Sequence, residues 1–197
     1  MRYGLWIKGT LIGASLFLAA CAEGALRLPV RNQAVYGGEA RVKAPEGYCI
    51  ITEASLPEHG FVAMAPCYVQ SISTTRPETD AVITVQVGSA GSAVIAGNEE
   101  KLRDLLRTEA GGGVLASDGN AQSIQIDAVE MVGNTVEVHF TDMGRPRFAN
   151  LEQSEWRAFF DAGGRLMTVS VRGYAHLPVE NAEGLSLLHQ TVAVNRE

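Results

Sequence analysis

Residues 154–173 read SEWRAFFDAGGRLMTVSVRG, and the central Gly163-Gly164 pair marks a two-residue hairpin turn between runs of alternating apolar and polar side chains. With that turn fixed, Phe160 lies opposite Met167, Ala158 opposite Val169 and Trp156 opposite Val171, all on one face. The same register sets Glu155 against Arg172 on the other face. An apolar face and an opposite-charge pair thus agree on one alignment, and a one-residue slip would destroy both. The hairpin predicts an antiparallel sheet, because its strands pair locally and need no helical crossover.

Working outward, Gly133-Asn134 marks a second hairpin that pairs Met131 with Val136 and Val129 with Val138. Ile124 and Ile126 then fall on the wrong face, which predicts either a bulge near Asp127-Ala128 or an outer face that is also covered. Glu130 and Glu137 would meet across the strands as like charges. Earlier strands are expected at 39–43, 47–52, 60–67 and 81–87, the last with Ile83, Val85 and Val87 alternating with Thr84 and Gln86. Asn98 is expected to cap a helix that carries Glu99 and Glu100 at its positive end and Leu102, Leu105 and Leu106 on one face and stops at Gly111-Gly112-Gly113. Its narrow apolar stripe suits a cover for a sheet. A second helix over Asn181–Val194 places Ala182, Leu185, Leu188 and Val192 at helical spacing. Hairpins dominate and no β-α-β alternation appears, so the expected class is α+β, an antiparallel sheet of about 6–8 strands with two helices packed on it. This order loosely resembles the PsbP/Mog1 type of domain, a curved antiparallel sheet with helices.

The first twenty residues, MRYGLWIKGTLIGASLFLAA, carry Arg2 and Lys8 as their only charges ahead of an apolar stretch that ends at Cys21. The stretch has the form of a secretory signal and is short for a membrane span of about 20 apolar residues. Leu18-Ala19-Ala20-Cys21 resembles the lipobox of bacterial lipoproteins, so residues 1–20 are expected to be a signal peptide, 21–35 a tether and 36–197 a single domain. That resemblance implies that Cys21 is the lipidated N-terminus and that the chain meets the membrane through it, since two or three acyl chains make a stable anchor. Ala22 in place of Asp points to the periplasmic face of an outer membrane. Gly47-Tyr48-Cys49-Ile50, Gly60-Phe61-Val62, Cys67 and Leu166–Val171 with its following helix are also similar to a group of alphaproteobacterial lipoproteins, a likeness that implies a family and no mechanism.

With Cys21 assigned to lipid, Cys49 and Cys67 remain as a pair in an oxidising compartment, where a disulfide is the natural reading. It would close a loop of about 18 residues, worth on the order of 3 kcal/mol in the chain-entropy model. Two free thiols, or a zinc site from Cys49, His59 and Cys67, are the alternatives; the latter lacks a fourth ligand.

Over all 197 residues, 46% are apolar and 19% charged, which sets aside disorder. Removal of residues 1–20 leaves 14 Lys and Arg against 22 Asp and Glu. Such acidity argues against nucleic acid as a partner, because displacing phosphate counterions needs a basic excess. No nucleophile elbow, H-E-x-x-H, phosphate loop or EF-hand series occurs, so no cofactor or metal is expected. Among His59, His139, His176 and His189, none lies at ligand spacing from another. His139 alternates with Val138 and Phe140 near Glu137 and Asp142, a pattern that fits a general base oriented by a carboxylate or, more simply, a solvated strand face. Arg145, Arg147, Arg157 and Arg165, with Arg172, gather five of the 14 basic residues in one segment, a candidate patch for anions or a partner. Taken together, these features imply a membrane-anchored envelope lipoprotein with a non-enzymatic binding or accessory domain, whose partner is an envelope protein or anionic envelope polymer. An envelope hydrolase or small-ligand-binding protein is the alternative. A His, a carboxylate and a Ser converging in one cleft would favour the enzyme.

Overall fold

A computed structural model describes residues 28–70, 76–144 and 150–196. Strands β1 (Asn32–Val35) and β2 (Ala40–Lys43) form a small antiparallel ribbon. The main sheet holds β3 (Tyr48–Ile50), β4 (Phe61–Pro66), β5 (Ala81–Val87), β6 (Ile124–Val132), β7 (Thr135–Asp142), β8 (Ser154–Ala162) and β9 (Arg165–Gly173), in the order β3-β4-β5-β9-β8-β7-β6. Every neighbouring pair in it is antiparallel. Helices α1 (Glu99–Leu106) and α2 (Glu109–Leu115) join β5 to the far edge strand β6, and α3 (Asn181–Arg196) ends the chain. This is the α+β class, with three helices where two were expected. Among the described residues, no helix is long and apolar enough to cross a membrane.

Both hairpins adopt the registers that their turns dictate. Trp156 pairs with Val171, Ala158 with Val169 and Phe160 with Met167; Met131 pairs with Val136 and Val129 with Val138. The register shifts between Ile126 and Ala128, leaving Asp127 as the bulged residue and turning Ile124 and Ile126 back toward the buried face. Glu137 does face Glu130, and His189 of α3, with Nε2 2.9 Å from Glu137 Oε2, supplies the donor that buries it.

The sheet is covered on both faces, unequally. Alternation in β5 sends Ile83, Val85 and Val87 to one side, where they join Val62, Met64, Phe160, Val169, Val171 and Leu188 of α3. There β1 and β2 complete the cover, and Asn195 of α3 bridges the Lys43 N–H and C=O, both at 2.9 Å. On the opposite side α1 and α2 place Leu102, Leu106 and Leu115 against Val136, Val138, Phe140 and Phe159. That second core lies at the β6–β7 end, and the β5–β9 region of the same face is left without a helix. Each buried aliphatic side chain in either core contributes roughly 1.5–3 kcal/mol.

Within the stretch 21–35 expected as a tether, Asn32–Val35 are paired as β1 and Val35 is fully buried; residues 21–27 lie outside the described ones. Two expectations about the helices need correction. Gly111–Gly113 do not end a helix. The first helix ends at Leu106, and the glycines lie inside α2, which Thr108 caps by accepting from the Gly111 N–H at 3.3 Å. Asn98, expected as a cap, makes no capping bond. The reason for the glycines is packing: a Cβ on Gly111 would collide with the backbone of Leu105 and Leu106, and one on Gly112 would press on the Ala121 carbonyl at 3.2 Å.

Gly111→Ala should therefore destabilise the domain by about 1–3 kcal/mol, reversing the usual helical preference for alanine. A methyl on Gly113 would meet only the Gly119 carbonyl, at 3.7 Å, so Gly113→Ala should be neutral or stabilise by up to about 1 kcal/mol. Urea unfolding of the two variants measures both, and equal effects would contradict this packing.

Candidate functional site

The bare half of the α1–α2 face forms an open groove of about 310 Å³. Its floor follows from strand phase: Val82, Thr84 and Gln86 of β5 pair with Arg172, Ser170 and Thr168 of β9, so the polar row opposite the main core lines the groove. Arg157 and Glu155 of β8 continue the floor, the C-terminal end of α2 with Ala116 and Ser117 makes one wall, and Phe61 and Leu151 complete the rim.

Glu155, 3% exposed at its side chain, is shared by two arginines. Arg157 bonds its Oε1 through Nε at 2.8 Å and Nη2 at 2.7 Å, while Arg172 Nη2 bonds Oε2. Arg157 also donates to Ser170 Oγ at 3.0 Å and lies over the Phe140 ring at 5.0 Å. Burial pushes the Arg157 guanidinium down to about 10, against the opposing charge of Asp142, so it stays charged at neutral pH. Burial lowers Arg172 as well, opposed by Asp142 and Glu152. A buried carboxylate flanked this way is fully compensated.

Asp142 holds the wall. Its Oδ2 accepts from the Ser117 N–H at 2.9 Å, and its Oδ1 accepts from Gly144 N–H at 2.9 Å and Ser123 Oγ–H at 3.2 Å. Burial alone would raise its pKa, but these bonds outweigh it and hold the carboxyl below its ordinary value.

A second constellation lies on the α3 face. His139 Nδ1 is 3.1 Å from Asp127 Oδ2, and His139 Nε2 is 2.8 Å from Ser154 Oγ. With Nδ1–H given to Asp127, Nε2 is left to accept the serine proton, the hydrogen-bond order of a Ser-His-Asp triad. The bulge aims Asp127 at the histidine, and Trp156 stacks on the imidazole at 4.7 Å. The partner of His139 is therefore neither Glu137, which His189 takes, nor Asp142, which holds Ser117 from behind the groove wall. The space beside Ser154 and His139, however, is about 10 Å³, roughly one water and far below the about 300 Å³ of a small-molecule site.

Other sequence-predicted residues fall in several places. Cys49 and Cys67 are joined as a disulfide with Cα atoms 4.8 Å apart, fastening the three-residue edge strand β3 to the end of β4. That removes the thiolates a Cys49–His59–Cys67 zinc site would need. Arg157 and Arg165 lie on opposite faces: Arg165 spans Glu39 at 2.6 Å and the Gly88 carbonyl at 2.9 Å beside Tyr36. The structure thus does not bring these two into one patch; it brings Arg157 together with Arg172. Cys21, Arg145 and Arg147 lie outside the described residues. His59 and His176 are exposed.

No known protein family and no curated protein matches the chain. Among solved structures it is similar to the cyanobacterial PsbP (CyanoP) from Synechocystis sp. PCC 6803, at 12% identity and a TM-score of 0.37, covering 90% of this chain and 96% of that one. A structure from Bacteroides thetaiotaomicron VPI-5482 is also similar, at 9% identity and a TM-score of 0.37 over 80% of this chain. The chain spans 46% of that protein's length. At these scores neither likeness carries an argument, and the topology rests on the strand order itself.

Asp142→Asn should cost about 1–3 kcal/mol at pH 7 through the lost charge-assisted bonds. Since the folded carboxyl titrates below the ordinary 3.8, its contribution is present above pH 3.8 and fades as pH falls through the folded value. Denaturation curves from pH 7 to 2 should show the gap between wild type and variant closing below pH 3.8; a gap constant with pH would show that the charge is not what holds the wall.

Proposed function

We propose that the chain is a cell-envelope lipoprotein, held to the membrane by lipid on Cys21, whose α+β domain works by binding and not by covalent catalysis. The observation that carries this reading is a contrast in space. The ion cluster of Glu155, Arg157 and Arg172 opens on a groove of about 310 Å³, whereas Ser154 and His139 adjoin about 10 Å³. Acyl transfer needs room for a substrate carbonyl at the serine and donors around its oxygen. The Leu18-Ala19-Ala20-Cys21 motif supports the anchor, and Ala22 supports the periplasmic face of the outer membrane as its place. A partner in the envelope, protein or anionic polymer, then meets the domain within a few nanometres of the lipid.

The hydrogen-bonded order of Asp127, His139 and Ser154 favours a hydrolase as the second reading, and labelling separates the two. A fluorophosphonate probe should leave Ser154 unmodified in the full-length protein; a Ser154 adduct that disappears in His139→Ala would replace binding with catalysis. Incorporation of radiolabelled palmitate should be lost in Cys21→Ser, and its persistence would remove the anchor. A photo-crosslinking residue at Thr168, on the groove floor, should give an adduct in intact cells while one at Gln190, on the exposed side of α3, should not. The reverse pattern would place the working surface elsewhere.

A further inference from the structure

We infer that the groove takes a small ligand bearing one carboxylate and a short apolar body, with Arg172 as the residue that grips the carboxylate. The inference rests on the binding reading above and names the ligand class. Its basis is incomplete pairing. Arg157 is committed, with Nε and Nη2 on Glu155, Nε also on Ser170 Oγ and Nη1 toward the Leu115 carbonyl at 3.4 Å. Arg172 is not: among the described residues its one hydrogen-bond partner is Glu155, reached through Nη2, which leaves donors at Nε and Nη1 on a side chain 11% exposed in the groove.

Buried and half-buried donors are normally satisfied, and the charged groups around Arg172 leave its remaining donors open. Glu155 is shared with Arg157. Asp142 is engaged by Ser117, Ser123 and Gly144 behind the wall. Glu152 accepts from the Gly173 and Val179 amides. A planar carboxylate matches the guanidinium fork, and the geometry of such pairs favours it over a neutral amide. Further along the floor, the hydroxyls of Thr84 and Thr168 have no hydrogen-bond partner among the described residues. Val82 and Leu151, with exposed Val114, add apolar surface to the same groove. A volume of about 310 Å³ is at the small end of the roughly 300–1,000 Å³ range of ligand pockets, which fits a ligand of a few carbons.

Isothermal titration of the full-length protein in nonionic detergent, with hexanoate and its neutral isostere hexanamide, tests this. Hexanoate should bind, hexanamide roughly ten- to hundredfold more weakly, and Arg172→Gln should weaken hexanoate by the same factor while leaving hexanamide unchanged. Glu155 keeps both bonds from Arg157 to Oε1 in that variant, and a cooperative melting transition checks that the fold persists. Thr84→Tyr, which fills the groove from the floor without touching an ion pair, should abolish binding of both. Equal affinity for the two ligands, or hexanoate binding indifferent to Arg172→Gln, would overturn the carboxylate assignment and leave a binding groove. Binding of neither ligand overturns it as well; with no adduct from Thr168 in cells, the binding reading falls too.

Discussion

The pairing of β5 with β9 is the constraint on which the rest of the structure depends. Among the described residues it is the only seam in the main sheet between β3–β5 and β6–β9, and it runs unbroken from Ala81–Gly173 to Val87–Met167. Its phase decides what each face contains. Ile83 with Val171 and Val85 with Val169 go to the core under α3; Val82 with Arg172 and Thr84 with Ser170 go to the groove. A slip of one residue would press Arg172 into the apolar core and present Val171 to water, an exchange costing several kcal/mol. Because such long-range pairing forms only after the intervening chain has been closed, the hairpins on β9's side, whose registers are set locally, prepare the strand that β5 then meets.

How much was legible in the sequence follows from which forces act locally. The Gly163-Gly164 hairpin was readable because apolar partners and Glu155–Arg172 agree on one register, and the structure keeps both. The bulge at Asp127 was readable as a conflict of faces at Ile124 and Ile126. Gly111–Gly113 misled because helix propensity weighs only the chain itself, whereas the missing side chain at Gly111 makes room for the backbone of α1 and the one at Gly112 for the Ala121 carbonyl. Proximity along the chain misled in the same way for the arginines. Arg157 and Arg165 are eight residues apart, yet the turn between them puts them on opposite faces, whereas Arg172 is brought beside Arg157 by the strand pairing. Ser154 and Asp127 could not be attached to His139 from spacing, since each comes from a different strand and Asp127 arrives only through the bulge.

The two constellations differ less in chemistry than in cover. His139, Asp127 and Ser154 have the order of a proton relay, but α3 and Trp156 close the sheet over them, so tightly that a Cβ added at Gly184 would come within 2.9 Å of the Trp156 ring. There the hydrogen bonds settle polar groups that packing has buried, each worth about 1 kcal/mol net. On the other face α1 and α2 stop at the β6–β7 end, so a comparable set of charged groups remains in reach of solvent. Residue type therefore does not separate an enclosed network from an accessible one in this sheet; helix coverage does.

The charged cluster itself shows why Arg172 is left with open donors in the groove. A single carboxylate between two guanidiniums could satisfy both only if its oxygens faced all the donors, and the strand geometry forbids that. Glu155 and Arg157 are two apart on one strand, so Oε1 takes Nε and Nη2 of Arg157 side by side, and Arg172 on the neighbouring strand β9 reaches Oε2 with one nitrogen. Burying Arg172 more deeply would leave its other donors without any partner, at a cost of roughly 1–3 kcal/mol for each group. Leaving it at the floor of an open groove lets water meet those donors in the free protein and keeps a fixed donor ready. An anion that enters finds the arginine already oriented by Glu155, which lowers the ordering entropy that binding must overcome.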